Sequence, residues 1–257
     1  MSLDLALNQI SSLLGRSDFV YSVDRIDEAF MNILLNAEGK KWGNPEFDYS
    51  LHDLNEKNSF WIGCRDENGD TIATVAARRL ETASFIEECR SYQLWYGSKI
   101  RFTEPLSIVL RKFDRVPSGS IVLVGAGWVR PDHRGLGLSW ALTRLAHYLA
   151  MRMWHPRWLF GITLTGIFQS AVPIINFGFP QVDYFASGYR LPGLSAQDIY
   201  LLTMTRQEAI ELAVDDSQFL AERPHLHLDR TFGQELKAER RKVAPTPAAA
   251  QPLGMTG

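Results

Sequence analysis

The sequence predicts an α/β domain in which helices flank a mixed central sheet. Two β-rich runs surround Asn68-Gly69, a pair that favours the positive φ angles of a tight hairpin turn. Residues 120–129 are almost continuously apolar, which is typical of a strand buried on both faces. Apolar residues then recur every three or four positions from Leu138 to Met153, as on one face of a helix. Strand, glycine-containing loop and helix therefore follow one another.

The other predicted elements follow from the same periodicities and complete one domain over residues 1–215 with an N-terminal helical arm. A polar loop is expected over residues 39–58, an irregular segment over 99–118, and a charged, low-complexity tail over 216–257. Helices are predicted at 3–14, 25–37, 81–96, 170–177 and 207–214, and strands at 18–23, 60–65, 71–78, 158–164 and 199–205.

Composition excludes several classes of function. The chain has 257 residues and a net charge of −2, so no overall positive field attracts nucleic acid or an anionic membrane. Its two cysteines, Cys64 and Cys89, are too few for a disulfide framework and indicate free thiols in a reducing compartment. The first residues lack a signal-peptide pattern, and no apolar run has the length of a membrane span. We therefore expect a cytoplasmic protein without nucleic-acid or membrane partners; a homodimer is compatible with the sequence.

The loop Arg134-Gly135-Leu136-Gly137-Leu138-Ser139 has the features of an anion site. It enters a helix, whose first turn offers unpaired N–H groups and the positive end of the helix dipole. The glycines lack a Cβ that would block phosphate oxygens, Ser139 can add a hydroxyl donor, and Arg134 adds a charge. A pyrophosphate fits this description.

Residues 129–139 (VRPDHRGLGLS) resemble the acyl-CoA signature of the GNAT superfamily of N-acetyltransferases, Arg/Gln-x-x-Gly-x-Gly/Ala. Arg134 and Gly137 match it, and Ser139 stands where glycine or alanine is usual. The resemblance implies a mostly antiparallel sheet in which two parallel strands, 120–129 and Trp158–Leu164, splay apart around the thioester. It also implies these acyl-CoA-binding residues: Trp128, Val129, Arg134, Gly135, Leu136, Gly137, Leu138 and Ser139.

A dinucleotide-binding loop is the competing interpretation of this region. Gly125-Ala126-Gly127 begins the pattern G-x-G-x-x-G, but Arg130 replaces its third glycine, and Pro131 interrupts the expected helix entry. The acyl-CoA interpretation is therefore preferred.

The usual acid of the family has no counterpart at its expected position. Many GNAT enzymes carry a tyrosine four residues before a Gly-Phe pair, and Ile174 stands there in this chain. Tyr184 and Tyr189 follow shortly afterwards, and a phenol can donate a proton to a thiolate. We predict Tyr184 as the catalytic acid, with Tyr189 as its alternative.

The usual base is missing as well. Some GNAT members place a glutamate on the central strand, where this chain has small residues at 125–127. Glu104, Asp114 and His133 are the alternatives that the sequence offers, directly or through water. The small strand residues leave space that a larger acyl chain or an aromatic acceptor would fill. The expected apolar wall consists of Trp95, Tyr96, Phe102 and Trp128.

Two C-terminal patterns are interpreted as surface. His225, His227 and Asp229 alternate as on one face of a strand, but no other ligand cluster supports a metal site. Residues 237–242 are interpreted as an exposed helical face. No metal is predicted.

The sequence as a whole predicts an acyl-CoA-dependent N-acyltransferase. Its co-substrate would be acetyl-CoA or another acyl-CoA, and its acceptor a small-molecule or peptide amine. The alternative is a GNAT-fold protein that binds acyl-CoA with little or no catalysis.

Overall fold

A seven-stranded sheet forms the centre of the molecule. The structure is a computed structural model that describes residues 2–40, 44–101, 115–189 and 197–243. The spatial order of the strands is β1-β2-β3-β4-β5-β7-β6. Their bounds are β1 Val20–Asp24, β2 Ser59–Arg65, β3 Thr71–Thr82, β4 Gly119–Val129, β5 Trp158–Leu164, β6 Gln181–Tyr189 and β7 Gln197–Thr205.

Neighbouring strands are antiparallel except at the centre, where β4 and β5 are parallel. The hairpin between β2 and β3 is the predicted one, and Gly69 supplies its positive φ of 83°. The predicted fold class is therefore confirmed: a mostly antiparallel sheet with one parallel central pair, as in the GNAT fold.

Helices cover both faces of the sheet, and side chains alternate between two cores as the strand period requires. On β4, Val122 and Val124 pack in one core, while Ile121 and Leu123 pack in the other. No helix of the described residues is long and apolar enough to cross a bilayer. The helices are α1 Ser2–Arg16, α2 Glu28–Asn36, α3 Phe85–Arg90, α4 Gln93–Tyr96, α5 Leu138–Trp154, α6 Thr165–Gln169, α7 Val172–Ile175, α8 Arg206–Ala221 and α9 Arg230–Val243, with the 3-10 turns η1 Pro45–Phe47 and η2 Pro131–His133.

One prediction of local structure was wrong, and one strand was missed. The helix predicted at 81–96 is two short helices, because β3 continues to Thr82 and Tyr92 adopts a left-handed φ of 60° between α3 and α4. Strand β6 was not predicted from the sequence. It is an edge strand that pairs only with β7 and has an irregular register, so its hydrophobic alternation is weak.

The folded domain also extends beyond residue 215, where a charged tail was expected. Helix α8 continues to Ala221, and α9 packs its apolar stripe into the core. Phe232 and Leu236 form this stripe at a spacing of four residues, Leu228 extends it just before the helix, and each of the three is at least nine-tenths buried. The many charged residues around them obscured this amphipathic pattern. Residues 244–257 lie outside the described part of the chain.

A buried ion pair joins α5 to α8. Arg144 Nε donates to Asp216 Oδ2 at 2.8 Å, and the hydroxyl of Tyr148 donates to the same oxygen. Arg144 Nη1 also donates to the carbonyl of Asn176 at 2.9 Å, next to α7. The pair therefore connects three helices around one side of the sheet.

Removing one partner of this pair should destabilise the fold strongly. We expect Asp216→Ala to lower the free energy of unfolding by about 3–5 kcal/mol, because Arg144 would remain buried without its counter-charge. Asp215→Ala is the matched control, since Asp215 is the exposed neighbour on the same helix. Urea unfolding of both variants measures the difference, and equal stabilities would contradict a structural role for the pair.

Candidate functional site

The site begins where β4 and β5 separate. The two strands pair only from Ile121 to Leu123 and from Trp158 to Phe160, although both continue for several residues. A cavity of about 530 Å³ lies along the separated strands, and we call it the gap cavity. Val124 to Val129 line it from β4, and Ile162, Thr163 and Leu164 line it from β5.

A β-bulge shapes the β4 side of the gap cavity. Gly125 pairs with Ala76 and Trp128 pairs with Thr74, so Ala126 and Gly127 both lie opposite Val75. Ala126 has a left-handed φ of 53°, which is strained for a residue with a Cβ. Such a bulge takes backbone groups out of the ladder, and the carbonyl of Ala126 accepts a hydrogen bond from Thr74 Oγ1 at 3.1 Å instead.

The loop after β4 leads into α5 with its amides unpaired. Gly135 and Gly137 have φ values of 81° and 90°, and Gly137 caps α5 without a side-chain hydrogen bond. Trp140 and Ala141 make the first bonds of the helix, both to the Gly137 carbonyl. Among the described residues, the amides from 135 to 139 have no hydrogen-bond acceptor. Such donors, together with the helix dipole, are suited to hold an anion.

A second cavity, of about 260 Å³, lies against these amides and is walled by α9; we call it the loop cavity. Arg134 and Arg240 line it. Arg240 Nη1 donates to Asn176 Oδ1 at 3.1 Å, and Asn176 Nδ2 donates to Ser139 Oγ at 2.8 Å. Partial burial lowers the pKa of Arg240, which has no carboxylate partner among the described residues. An anion in the loop cavity would supply that partner.

Helix α9 therefore belongs to the site. A Cβ at Gly233 would lie 1.6 Å from the carbonyl oxygen of Gly135, so only glycine allows the helix to approach the loop so closely. Phe232 contacts Gly137 from the same side. The prediction that residues 237–242 form an exposed face was wrong for Arg240, which points into the loop cavity.

The far end of the gap cavity combines two aromatic side chains that were predicted near the site with two charged ones that were not. Lys40, Glu46, Trp95 and Tyr189 line it beside Gly125. The rings of Trp95 and Tyr189 pack with their centroids 4.6 Å apart and their planes tilted by 33°, and they provide an aromatic wall. Trp95 was predicted as part of such a wall; Lys40 and Glu46 carried no signal because they lie in a polar loop far from the glycine motif.

The residues proposed for proton transfer lie in different places. The hydroxyl of Tyr184 donates to Asp198 at 3.3 Å, and Tyr184 does not line the gap cavity. Its alternative, Tyr189, lines the cavity, but burial raises the pKa of its phenol far above the ordinary value. His133 bonds to Asp132 at 2.8 Å near the loop cavity. Glu104, Asp114 and Phe102 lie outside the described residues.

The remaining predicted aromatic and polar residues are also accounted for. Trp128 lines the gap cavity and donates its indole N–H to the carbonyl of Glu38 at 2.9 Å. Tyr96 is buried in the aromatic cluster around Trp95. His225 and His227 are exposed, and within the described ranges no cluster of three potential metal ligands occurs. Cys64 and Cys89 are buried free thiols.

Comparisons with known proteins give structural relatives only. No family model matches the chain, and neither does any curated protein. The chain is similar to the crystal structure of Arabidopsis thaliana NAA60 in complex with acetyl-CoA, with 12% identity and a TM-score of 0.44 over 72% of this chain and 99% of that one. It is also similar to the spermidine/spermine N-acetyltransferase SpeG of Vibrio cholerae, with 9% identity and a TM-score of 0.44 over 75% and 96%.

Replacement of Gly233 should detach α9 from the loop. We expect Gly233→Ala to destabilise the protein by at least about 1–3 kcal/mol, because its methyl group meets a backbone oxygen that cannot rotate away. Gly15→Ala in α1 is the control, since a Cβ there meets nothing within 4 Å, and it should be neutral or stabilising by about 0.4–1 kcal/mol. Urea unfolding and limited proteolysis between α8 and α9 would measure both effects; equal behaviour would refute close docking of α9.

Proposed function

We propose that this chain binds an acyl-CoA and transfers its acyl group directly to an amine acceptor. The observation that carries the proposal is the row of unpaired amides from 135 to 139 at the N-terminus of α5, at the end of the gap between two parallel strands. Amides in this arrangement bind a pyrophosphate, and the adjoining gap accommodates an extended chain.

The residues present fit the parts of coenzyme A. The loop cavity would hold the phosphates on the amides of Gly135 to Ser139, with Arg134 and Arg240 as counter-charges. The β4 backbone from Val124 to Val129 has no β5 partner along the gap, so it can pair with the amide groups of the pantetheine arm. When bound, an acyl-CoA supplies the activated acyl group as a thioester.

Acetyl-CoA is the first co-substrate to test, and an amine entering the far end of the gap cavity is the acceptor. The bulge at Ala126 would direct a backbone N–H towards the thioester carbonyl and stabilise negative charge on its oxygen. The aromatic wall of Trp95 and Tyr189 favours an acceptor with an apolar or aromatic body.

The test separates an enzyme from an acyl-CoA-binding protein. Acetyl-CoA at 100 times its dissociation constant should stabilise the protein by about 2.7 kcal/mol and raise its melting temperature accordingly. A thiol-release assay with panels of amines, amino acids and peptides then measures transfer. Absence of any thermal shift with acetyl-CoA and longer acyl-CoAs would refute the proposal. A shift without transfer to any acceptor of the panels would favour the binding protein.

Arg240 provides a sharper test of the cofactor site. We expect Arg240→Gln to weaken binding of coenzyme A by about tenfold to 100-fold, because a charge-assisted hydrogen bond contributes about 1.5–3 kcal/mol. Arg241→Gln is the matched control, since Arg241 is exposed on the same helix. Isothermal titration calorimetry measures both affinities. Equal affinities would remove Arg240 from the site, and tighter binding by Arg240→Gln would show that α9 obstructs it.

A further inference from the structure

The far end of the gap cavity contains a carboxylate that β4 itself does not provide. Glu46 lies in η1, and it is the only acidic residue among the described residues that line the cavity. A Cβ at Gly125 would lie 2.9 Å from the ring of Phe47 and 3.9 Å from Glu46 Oε1. The turn therefore approaches the strand because the strand has no side chain there, and Glu46 stands beside the position that lacks an acid.

Hydrogen bonds hold this turn against the sheet. Asn44 Nδ2 donates to Glu46 Oε1 at 2.8 Å and orients the carboxylate. Arg78, on β3, donates from Nη1 to the backbone carbonyl of Glu46 at 2.9 Å and to that of Leu94 at 3.2 Å. The carboxylate thus has a fixed position relative to the central strands, as a group that acts on a bound substrate must.

Burial and the neighbouring polar and charged groups act on the Glu46 carboxyl in opposite directions. Burial raises the pKa of its carboxyl, and the hydrogen bond from Asn44 and the charges of Lys40 and Arg78 oppose the rise. Burial also lowers the pKa of Lys40 to about 8, against the attraction of Glu46. Tyr189 lines the same cavity, and Tyr96 lies close enough to interact electrostatically with Glu46. Burial raises the pKa of both phenols, so they remain neutral. A carboxylate with a raised pKa accepts a proton more readily than an exposed one.

Other candidate bases are less well placed. His52 does not line the gap cavity; its ring bonds to the carbonyl of Trp95 at 2.9 Å, and burial lowers its pKa to about 4. His147 is buried inside α5 against Phe179 and does not line the cavity either. Among the described lining residues, Glu46 is therefore the one carboxyl group that can take a proton.

We propose that Glu46 is the general base of the acyl transfer, a role that rests on the function proposed above. The amine nitrogen forms a bond to the acyl carbon while the carbon–sulfur bond breaks and its electron pair leaves with the sulfur. The proton lost by the nitrogen moves to the carboxylate of Glu46 and passes through solvent to the coenzyme A thiolate. The products are an amide and free coenzyme A.

The test compares Glu46→Gln with Glu56→Gln, an exposed glutamate on the loop before β2. Glutamine keeps the size of the side chain and an oxygen for the Asn44 bond, so we expect an unchanged melting temperature and acetyl-CoA affinity. We expect kcat for transfer from acetyl-CoA to alkyl amines to fall about 100-fold to 10,000-fold in Glu46→Gln and to stay unchanged in Glu56→Gln. Glu46→Asp, which retains a carboxylate, should recover part of the loss.

The pH profile gives a readout that a structural role would not affect. An aromatic amine that stays neutral over the range is the acceptor, so its own titration does not contribute. The wild-type kcat/KM should rise with pH as Glu46 loses its proton, because only the carboxylate accepts one. The raised pKa places this rise at higher pH than for an exposed glutamate. The rise should be absent from Glu46→Gln.

The outcomes distinguish the two proposals. If acetyl-CoA does not bind to the wild type, the proposed function fails and the role of Glu46 with it. If the wild type transfers acetyl groups and Glu46→Gln does so equally well with the same pH profile, only the role of Glu46 is refuted. If the wild type binds acetyl-CoA and transfers to none of the amines, Glu46 has no reaction to serve, and the inference is overturned.

Discussion

Strands β4 and β5 share hydrogen bonds over three residue pairs and then separate, and the position of every part of the site depends on this separation. Where the two strands pair, they join the two halves of the sheet and contribute to the core. Beyond the paired residues, the bulge at Ala126 changes the direction of β4, and the strand leads through the loop into the first turn of α5. A fully paired β4 would leave neither the gap cavity nor free strand groups along it.

One polar residue, Asn176, connects the core and the loop cavity. Its backbone carbonyl accepts from Arg144, while its side-chain amide donates to Ser139 through Nδ2 and accepts from Arg240 through Oδ1. Arg144 belongs to the buried ion pair with Asp216. The buried ion pair and the hydrogen bonds beside the loop therefore meet at one residue.

Strand β4 has no side chain at Gly125, and the turn η1 occupies the space that this leaves. The carboxylate of Glu46 therefore lies beside a strand that carries none at this position. Helix α9 has a similar relation to the loop, since Gly233 allows it to contact Gly135 and to present Arg240. Both additions come from segments far from the motif along the chain, and both depend on a residue without a side chain.

The sequence by itself determined what short-range physics determines: the hairpin at Asn68-Gly69, the buried run of β4, the amphipathic α5 and the glycine-containing turn between them. Each is a local pattern of period, turn residue or helix terminus. The family resemblance implied the separation of β4 and β5, whereas the tertiary structure alone decided the docking of α9 and the approach of Glu46 to Gly125. These contacts join residues distant in the chain, and no local pattern marks which polar side chain will be buried beside a strand.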